Sequence, residues 1–159
     1  MNKSHSYNSE LNFTNNFTLT AWFRPDSSQS APDAAILAKV TNSNSYLGYM
    51  LWYDSDTVKL YIRGGVRATA SAALAAEVWY YVVGTYDGAT AKLYLNGLLD
   101  ASGSYGSDAD ASGTPFYVGR YGHDNREIGG DVGIVNVYNR ALTAAEILQN
   151  YNATKWRFQ

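Results

Sequence analysis

Acid–base chemistry would need paired carboxylates, and the 159-residue chain offers two candidate spacings, Asp54/Asp56 and Glu127/Asp131. Retaining glycoside hydrolysis sets a nucleophile and an acid about 5 Å apart. Residues two or four apart on one strand share a face, so strand periodicity could supply such a pair. Neither pair reads that way. Asp54-Ser55-Asp56 falls in a turn between two apolar runs, where aspartate commonly caps the backbone. Gly129-Gly130 lies between Glu127 and Asp131. Asp108 and Asp110 sit in a soft loop of serine and glycine.

A serine nucleophile would need a base. The two histidines are His5, in a polar terminus, and His123, in a loop. No glycine-flanked serine elbow accompanies them. Two histidines so placed make a poor zinc site. Cysteine is absent, which removes thiolate nucleophiles, disulfides and cysteine–metal chemistry. The sequence therefore predicts a protein that is not an enzyme.

Binding chemistry is better supplied. Glycan recognition uses aromatic platforms with polar groups on the same surface. Trp52, Tyr53, Tyr61, Tyr121 and His123 can build one, with Asp124, Asn125 and Arg126 beside them. The plainer alternative places Trp22, Trp52, Trp79 and most of the tyrosines in a core, and for Trp22 and Trp79 the core is preferred. The tail Lys155-Trp156-Arg157-Phe158 is aromatic and basic. It either packs on its own domain or supplies an interface of Trp156, Arg157 and Phe158, and a buried aromatic anchor carries much of an interface's energy.

A net charge of -2 argues against a nucleic-acid partner held through phosphates. No run of eighteen apolar residues is present, so no membrane insertion is expected. Met1-Asn2-Lys3-Ser4-His5 lacks the apolar stretch of a secretory signal. An extracellular role would then need another route out of the cell, such as assembly onto a virus particle followed by lysis.

The elements that must position these residues are strands. Trp79 to Tyr86 ends in Asp87-Gly88, and Lys92 to Leu95 ends in Asn96-Gly97. Such dipeptides close antiparallel hairpins. Phe17, Leu19, Ala21 and Phe23 alternate onto one side of an earlier strand, leaving Thr18, Thr20, Trp22 and Arg24 on the other. Further strands are predicted over 35–40, 46–53, 58–63, 98–102, 116–120 and 132–138. The alanine-rich stretch 66–77 reads as strand plus loop. Thr143 and Glu146 make a capping box, with Leu142 and Ile147 as its hydrophobic staple. They start a helix of about two turns, too short to stand alone. Strands spaced about ten residues apart, with one small terminal helix, imply an all-β, two-sheet antiparallel sandwich.

Phe17-Thr18-Leu19-Thr20-Ala21-Trp22-Phe23-Arg24-Pro25, Trp79 to Gly88, Lys92 to Gly97, Tyr117 to Arg120 and Ile134 to Thr143 together resemble the concanavalin A-like lectin/glucanase superfamily, in its laminin G-like branch. The resemblance implies a jelly-roll of two curved sheets over residues 11–152. Residues 1–10 are then a polar N-terminal arm or a short edge strand, and 153–159 an aromatic-basic tail. Family members usually begin with an extra strand before the position of Leu11. Here it is short, missing, or supplied by a neighbour, and a vacant edge invites strand addition. No cofactor is required. Family members often hold calcium at the sandwich rim, and here Asp54, Asp56, Asp124 and Asp131 would be the ligands, with Asp87 weighed as a turn residue.

Glu146 to Lys155 also resembles the closing segment of such domains in tailed-phage virion proteins. That resemblance implies a non-enzymatic decoration protein on the virion surface. Its partners would be a capsid or tail protein, or further copies of itself in a trimer. The alternative is an extracellular carbohydrate-binding adhesion module on a host-surface glycan, using Trp52, Tyr121, His123, Asp124, Asn125 and Arg126.

Overall fold

The computed structural model describes residues 9–27, 33–41, 46–109, 113–121 and 126–159. The strands are β1 (Phe17–Pro25), β2 (Asp33–Val40), β3 (Gly48–Asp54), β4 (Thr57–Ile62), β5 (Gly65–Thr69), β6 (Tyr80–Tyr86), β7 (Thr90–Leu95), β8 (Leu98–Ser104), β9 (Tyr117–Val118) and β10 (Gly130–Tyr138). One α-helix among the described residues, α1 (Ala144–Thr154), follows, and it runs on into a 3-10 turn, Lys155–Arg157. The first sheet has the order β10-β1-β6-β7-β8 and the second β5-β4-β3-β2-β9. Every neighbouring pair is antiparallel. This is the two-sheet antiparallel sandwich that the strand pattern predicts, in the jelly-roll form that the resemblance implies.

The alternation along β1 decides what each face does. Phe17, Leu19, Ala21 and Phe23 point between the sheets and are fully buried. They meet Tyr49, Leu51 and Tyr53 of β3 and Val58, Leu60 and Ile62 of β4. Phe17 stacks on Tyr49 at 4.6 Å, and Phe23 meets Tyr53 edge-on at 5.0 Å. Each fully buried large apolar side chain contributes roughly 1.5–3 kcal/mol. Gly84 of β6 lets the layers close. A Cβ there would come within 2.9 Å of methyl groups of Leu51 and Leu60.

The opposite face of β1 is also dry, because α1 covers it. Trp22, Tyr81, Val83, Tyr94, Leu142 and Ile147 form a separate buried cluster. The helix starts as its sequence predicts. Thr143 accepts a hydrogen bond from the Glu146 amide at 3.3 Å, while its own amide donates to Glu146 Oε2 at 2.8 Å. The two staple residues, Leu142 and Ile147, are buried together. The helix runs eleven residues rather than about two turns. The extra length has a tertiary cause. Trp22 Nε1 donates to Thr154 Oγ1 at 3.0 Å, and the Tyr151 ring lies 5.7 Å from Trp22.

Two turns follow from dipeptide chemistry. Asn96 and Gly97 both have positive φ, 51° and 85°, as a two-residue type I′ hairpin needs. Asp87 accepts from the Ala89 and Thr90 amides at 3.0 and 2.7 Å, the turn role that its position implies. The stretch after Gly64 becomes β5 and then loop, as predicted. The strand expected over 116–120 is shorter, because the chain turns into a second hairpin at Gly119. Trp22 is buried, as expected, but in the cluster beneath α1 rather than between the sheets, and Trp79 is half-buried against that cluster; Trp52 is buried on the outer face of the second sheet. Of residues 1–10, expected as a polar arm or short edge strand, 1–8 lie outside the described residues, and Ser9–Leu11 form a 3-10 turn rather than a strand.

Candidate functional site

Of the residues that the sequence marks for binding, the outer face of the second sheet carries Trp52, Tyr61, Tyr121 and Arg126, whereas Tyr53 points the other way, into the core between the sheets. A register shift in β2 between Ala35 and Leu37 breaks the simple alternation of side chains. Ile36 and Leu37 both turn into the core, and Ala35 and Ala38 turn outward. A bulge of this kind re-aims side chains without ending the strand. The two alanines, with Val40 and Met50, form a shallow apolar floor. Trp52 of β3 stands on it.

A hairpin crosses over that floor. Gly119 donates its amide to Ile36 O at 2.9 Å, which ties the hairpin base to β2. Ile128 N donates back to Gly119 O, and Tyr121 N to Arg126 O, both at 2.9 Å. Arg120 and Glu127 form a β-bridge between them. The Tyr121 ring meets Trp52 edge-on, 5.4 Å between centroids and 88° between planes. Tyr61 of β4 approaches Trp52 from the other side at 6.2 Å. The Arg126 guanidinium lies 5.8 Å from the Trp52 ring centroid. Trp52, Tyr61, Tyr121 and Arg126 are therefore one cluster.

Burial fixes what the rings can do. Trp52 and Tyr121 are 7% and 6% exposed. They cannot offer an open stacking face. They hold the base of the hairpin on the sheet, and Arg126 and part of Tyr61 remain accessible. His123, Asp124 and Asn125, which complete the predicted surface, lie outside the described residues.

Among the described residues, the carboxylates do not assemble a reaction centre. Lys59 pairs with Asp54, and that contact, followed by a hydrogen bond from Ser55, holds the Asp54 carboxyl below the usual carboxylate range. Asp56 accepts from the Tyr53 hydroxyl at 3.1 Å. Asp131 accepts from Arg24 Nε at 3.0 Å, and the same guanidinium pairs with Glu77 at 3.0 Å. Among the described residues no three His, Asp or Glu side chains gather as a metal ion needs. The described members of the calcium set, Asp54, Asp56 and Asp131, serve turns and ion pairs. Asp124 is outside the described residues.

The tail divides. Phe158 is half-buried against Trp22, whereas Trp156 is 68% exposed. Arg157 lies 4.9 Å over the Trp156 ring. Leu148 of α1 packs beside Gly97, next to the exposed Leu98 and Leu99. Sequence reading passed over a second feature. A cleft at the start of β1 is lined by Asn12, Phe13, Thr14, Asn15, Asn16 and Asn139. Three asparagines within five residues, just ahead of a strand, were the signal for it.

Comparison with known proteins identifies the fold. A family model described as the concanavalin A-like lectin/glucanases superfamily matches residues 3–148. A solved structure from Bacteroides ovatus, assigned to carbohydrate binding, superposes with a TM-score of 0.71 at 23% identity, over 93% of this chain and 43% of that one. The binding domain of Paraclostridial Mosquitocidal Protein 1 gives 0.70 at 18% identity, over 92% and 39%. The binding domain of botulinum neurotoxin serotype G gives 0.68 at 14%, again over 92% and 39%. The chain spans about two fifths of the length of the solved structures it matches. No curated protein matches it at the sequence level.

Proposed function

Because the chain belongs to the concanavalin A-like lectin/glucanase superfamily, we propose that it is a non-enzymatic adhesion module. It binds a cell-surface carbohydrate through the hairpin between Gly119 and Ile128. One observation carries the reading: Trp52 and Tyr61 of the sheet converge with Tyr121 and Arg126 of that hairpin, some sixty residues later in the chain. Buried rings fix the hairpin base before any ligand arrives, which lowers the ordering cost of binding. The segment between Tyr121 and Arg126 supplies donors and acceptors in His123, Asp124 and Asn125. Relatives of the same fold include a protein assigned to carbohydrate binding and two toxin binding domains. They support an adhesive role outside a cell or on a surface.

A glycan array probed with the protein and with Tyr121→Ala and Arg126→Ala tests this. Both variants should lose at least about tenfold in affinity (roughly 1.4 kcal/mol) with the sandwich still folded. Unchanged binding by both ends the proposal. Parallel arrays in calcium and in EDTA read whether a metal shares the site.

A second reading has its own observation. Trp156, Leu98, Leu99 and Leu148 leave large apolar groups in solvent. Such a surface suits packing against another protein. A virion capsid or tail protein is the partner that the Glu146–Lys155 resemblance implies. Stoichiometric recovery with purified particles would support it; recovery of none would remove it.

A further inference from the structure

The cleft at the start of β1 has a volume of about 280 Å³. We propose that it is a second carbohydrate subsite, which takes one uncharged sugar residue. The proposal rests on the reading of the chain as a carbohydrate-binding module and adds a site that the hairpin does not contain.

The walls are fixed by bonds that a ligand does not have to make. Ala109 N donates to Thr14 O at 2.7 Å, and the Tyr49 hydroxyl donates to Leu11 O at 2.7 Å. The Phe13 ring is stacked on Tyr49 at 5.7 Å and on Phe17 at 6.3 Å, which pins the segment to the core. Across the cleft, the turn after β10 is tied to β1. The Thr18 hydroxyl donates to Arg140 O at 2.8 Å and accepts from Leu142 N at 2.9 Å.

The side chains on those walls are left for a ligand. Among the described residues, no hydrogen bond engages the side-chain amides of Asn15, Asn16 or Asn139, and all three residues are exposed. Each amide carries a double donor and an acceptor on one rigid plane. Adjacent sugar hydroxyls, each both donor and acceptor, complement that plane. The lining contains no charged residue. The nearest cation along the chain, Arg140, is held by Glu146 through two hydrogen bonds of 2.9 and 2.7 Å. A phosphate, sulfate or uronate would find no counter-charge, so the chemistry selects a neutral ring. The volume lies just under the roughly 300–1,000 Å³ of sites for drug-sized ligands, which suits a single pyranose.

The two sites are separate. The hairpin leads into Gly130, opposite Pro25 at the far end of β1, whereas the cleft adjoins Phe17. That strand is on the order of 25 Å long. One monosaccharide cannot touch both.

The test is an amide NMR titration of the whole chain with neutral methyl glycosides and, separately, with glucuronate, each at about 10 mM, above a millimolar Kd. Neutral glycosides should shift the side-chain amides of Asn15, Asn16 and Asn139. The double variant Asn15→Ala/Asn139→Ala should weaken that response at least about tenfold, with an unchanged Tm. Tyr121→Ala should leave it intact. No shift with any neutral glycoside, a stronger response to glucuronate, or binding that survives the double variant overturns the cleft. Glycan binding lost only in Tyr121→Ala overturns the cleft and leaves the hairpin standing. Binding lost only in the double variant does the reverse.

Discussion

The Phe158 ring lies nearly parallel to the Trp22 indole, with centroids 4.4 Å and planes 17° apart. Gly133 of β10 makes the room. A Cβ there would come within 2.7 Å of Phe158 Cε1. The tail thus lids an indole that is only 1% exposed. Phe158→Ala should move tryptophan emission to the red and lower stability in urea by about 1–3 kcal/mol, less than a fully buried phenylalanine would cost. Unchanged emission and midpoint would mean that the tail does not hold this position.

Gly103 lies where the edges of the two sheets approach each other. A Cβ on it would land on the Arg67 carbonyl oxygen, a backbone atom that cannot rotate away. At Gly84 the obstacles are leucine methyls, which can. Overpacking costs about 1–3 kcal/mol where side chains can yield. Gly103→Ala should therefore destabilise more than Gly84→Ala in the same urea series. The opposite order would contradict the closeness of β5 and β8.

Glu146 should make the helix sensitive to acid. Arg140, and then the Thr143 amide and hydroxyl, hold its carboxyl at about 2, against the usual 4.5. A carboxyl depressed on folding stabilises fully above its unfolded value, and the contribution disappears as pH falls through the folded one. The Tm difference between the parent and Glu146→Gln should thus be constant above about pH 5 and shrink towards pH 2. The pair is solvent-exposed, so 1 M salt should narrow the gap at neutral pH. A gap independent of pH would show that the charge is not what the cap uses.

Alkali should find the opposite sign in the core. Burial raises the Tyr49 hydroxyl well above the ordinary tyrosine range, and burial followed by the Asp56 carboxylate does the same for Tyr53. The fold holds both neutral. Their contribution is intact below about pH 10 and is lost as pH rises towards the folded values. Absorbance at 295 nm should show part of the fourteen tyrosines ionising normally. The remainder should appear only with unfolding. A single transition for all of them at pH 10 would contradict the packing around Tyr49.

Much of the fold is legible because its signals are local. Alternation in Phe17–Pro25, the Asp87-Gly88 and Asn96-Gly97 turns, and the Thr143/Glu146 box each need only a few consecutive residues. The destination of Trp22 does not follow from such signals. Alternation places it opposite Phe23, but only the position of α1 decides whether that face is wet or dry. The same holds for the site. Trp52 and Tyr121 are legible as aromatic candidates. Their burial depends on a bulge at Ala35 and on a hairpin that the sequence presents as a charged loop. Asn15, Asn16 and Asn139 gather only because Thr18 ties the turn after β10 to the start of β1.

The pairing of Thr18 with Tyr138 also has a kinetic meaning. Strand β1 leaves the ribosome well before its partner β10, because that neighbour in the sheet is made more than a hundred residues later. Until then its apolar residues have no complete shelter, and chaperones have a window in which to act. Closure of so distant a pair is slow for a domain of this size. Maturation of the molecule is therefore a late, all-at-once event rather than one that keeps pace with translation.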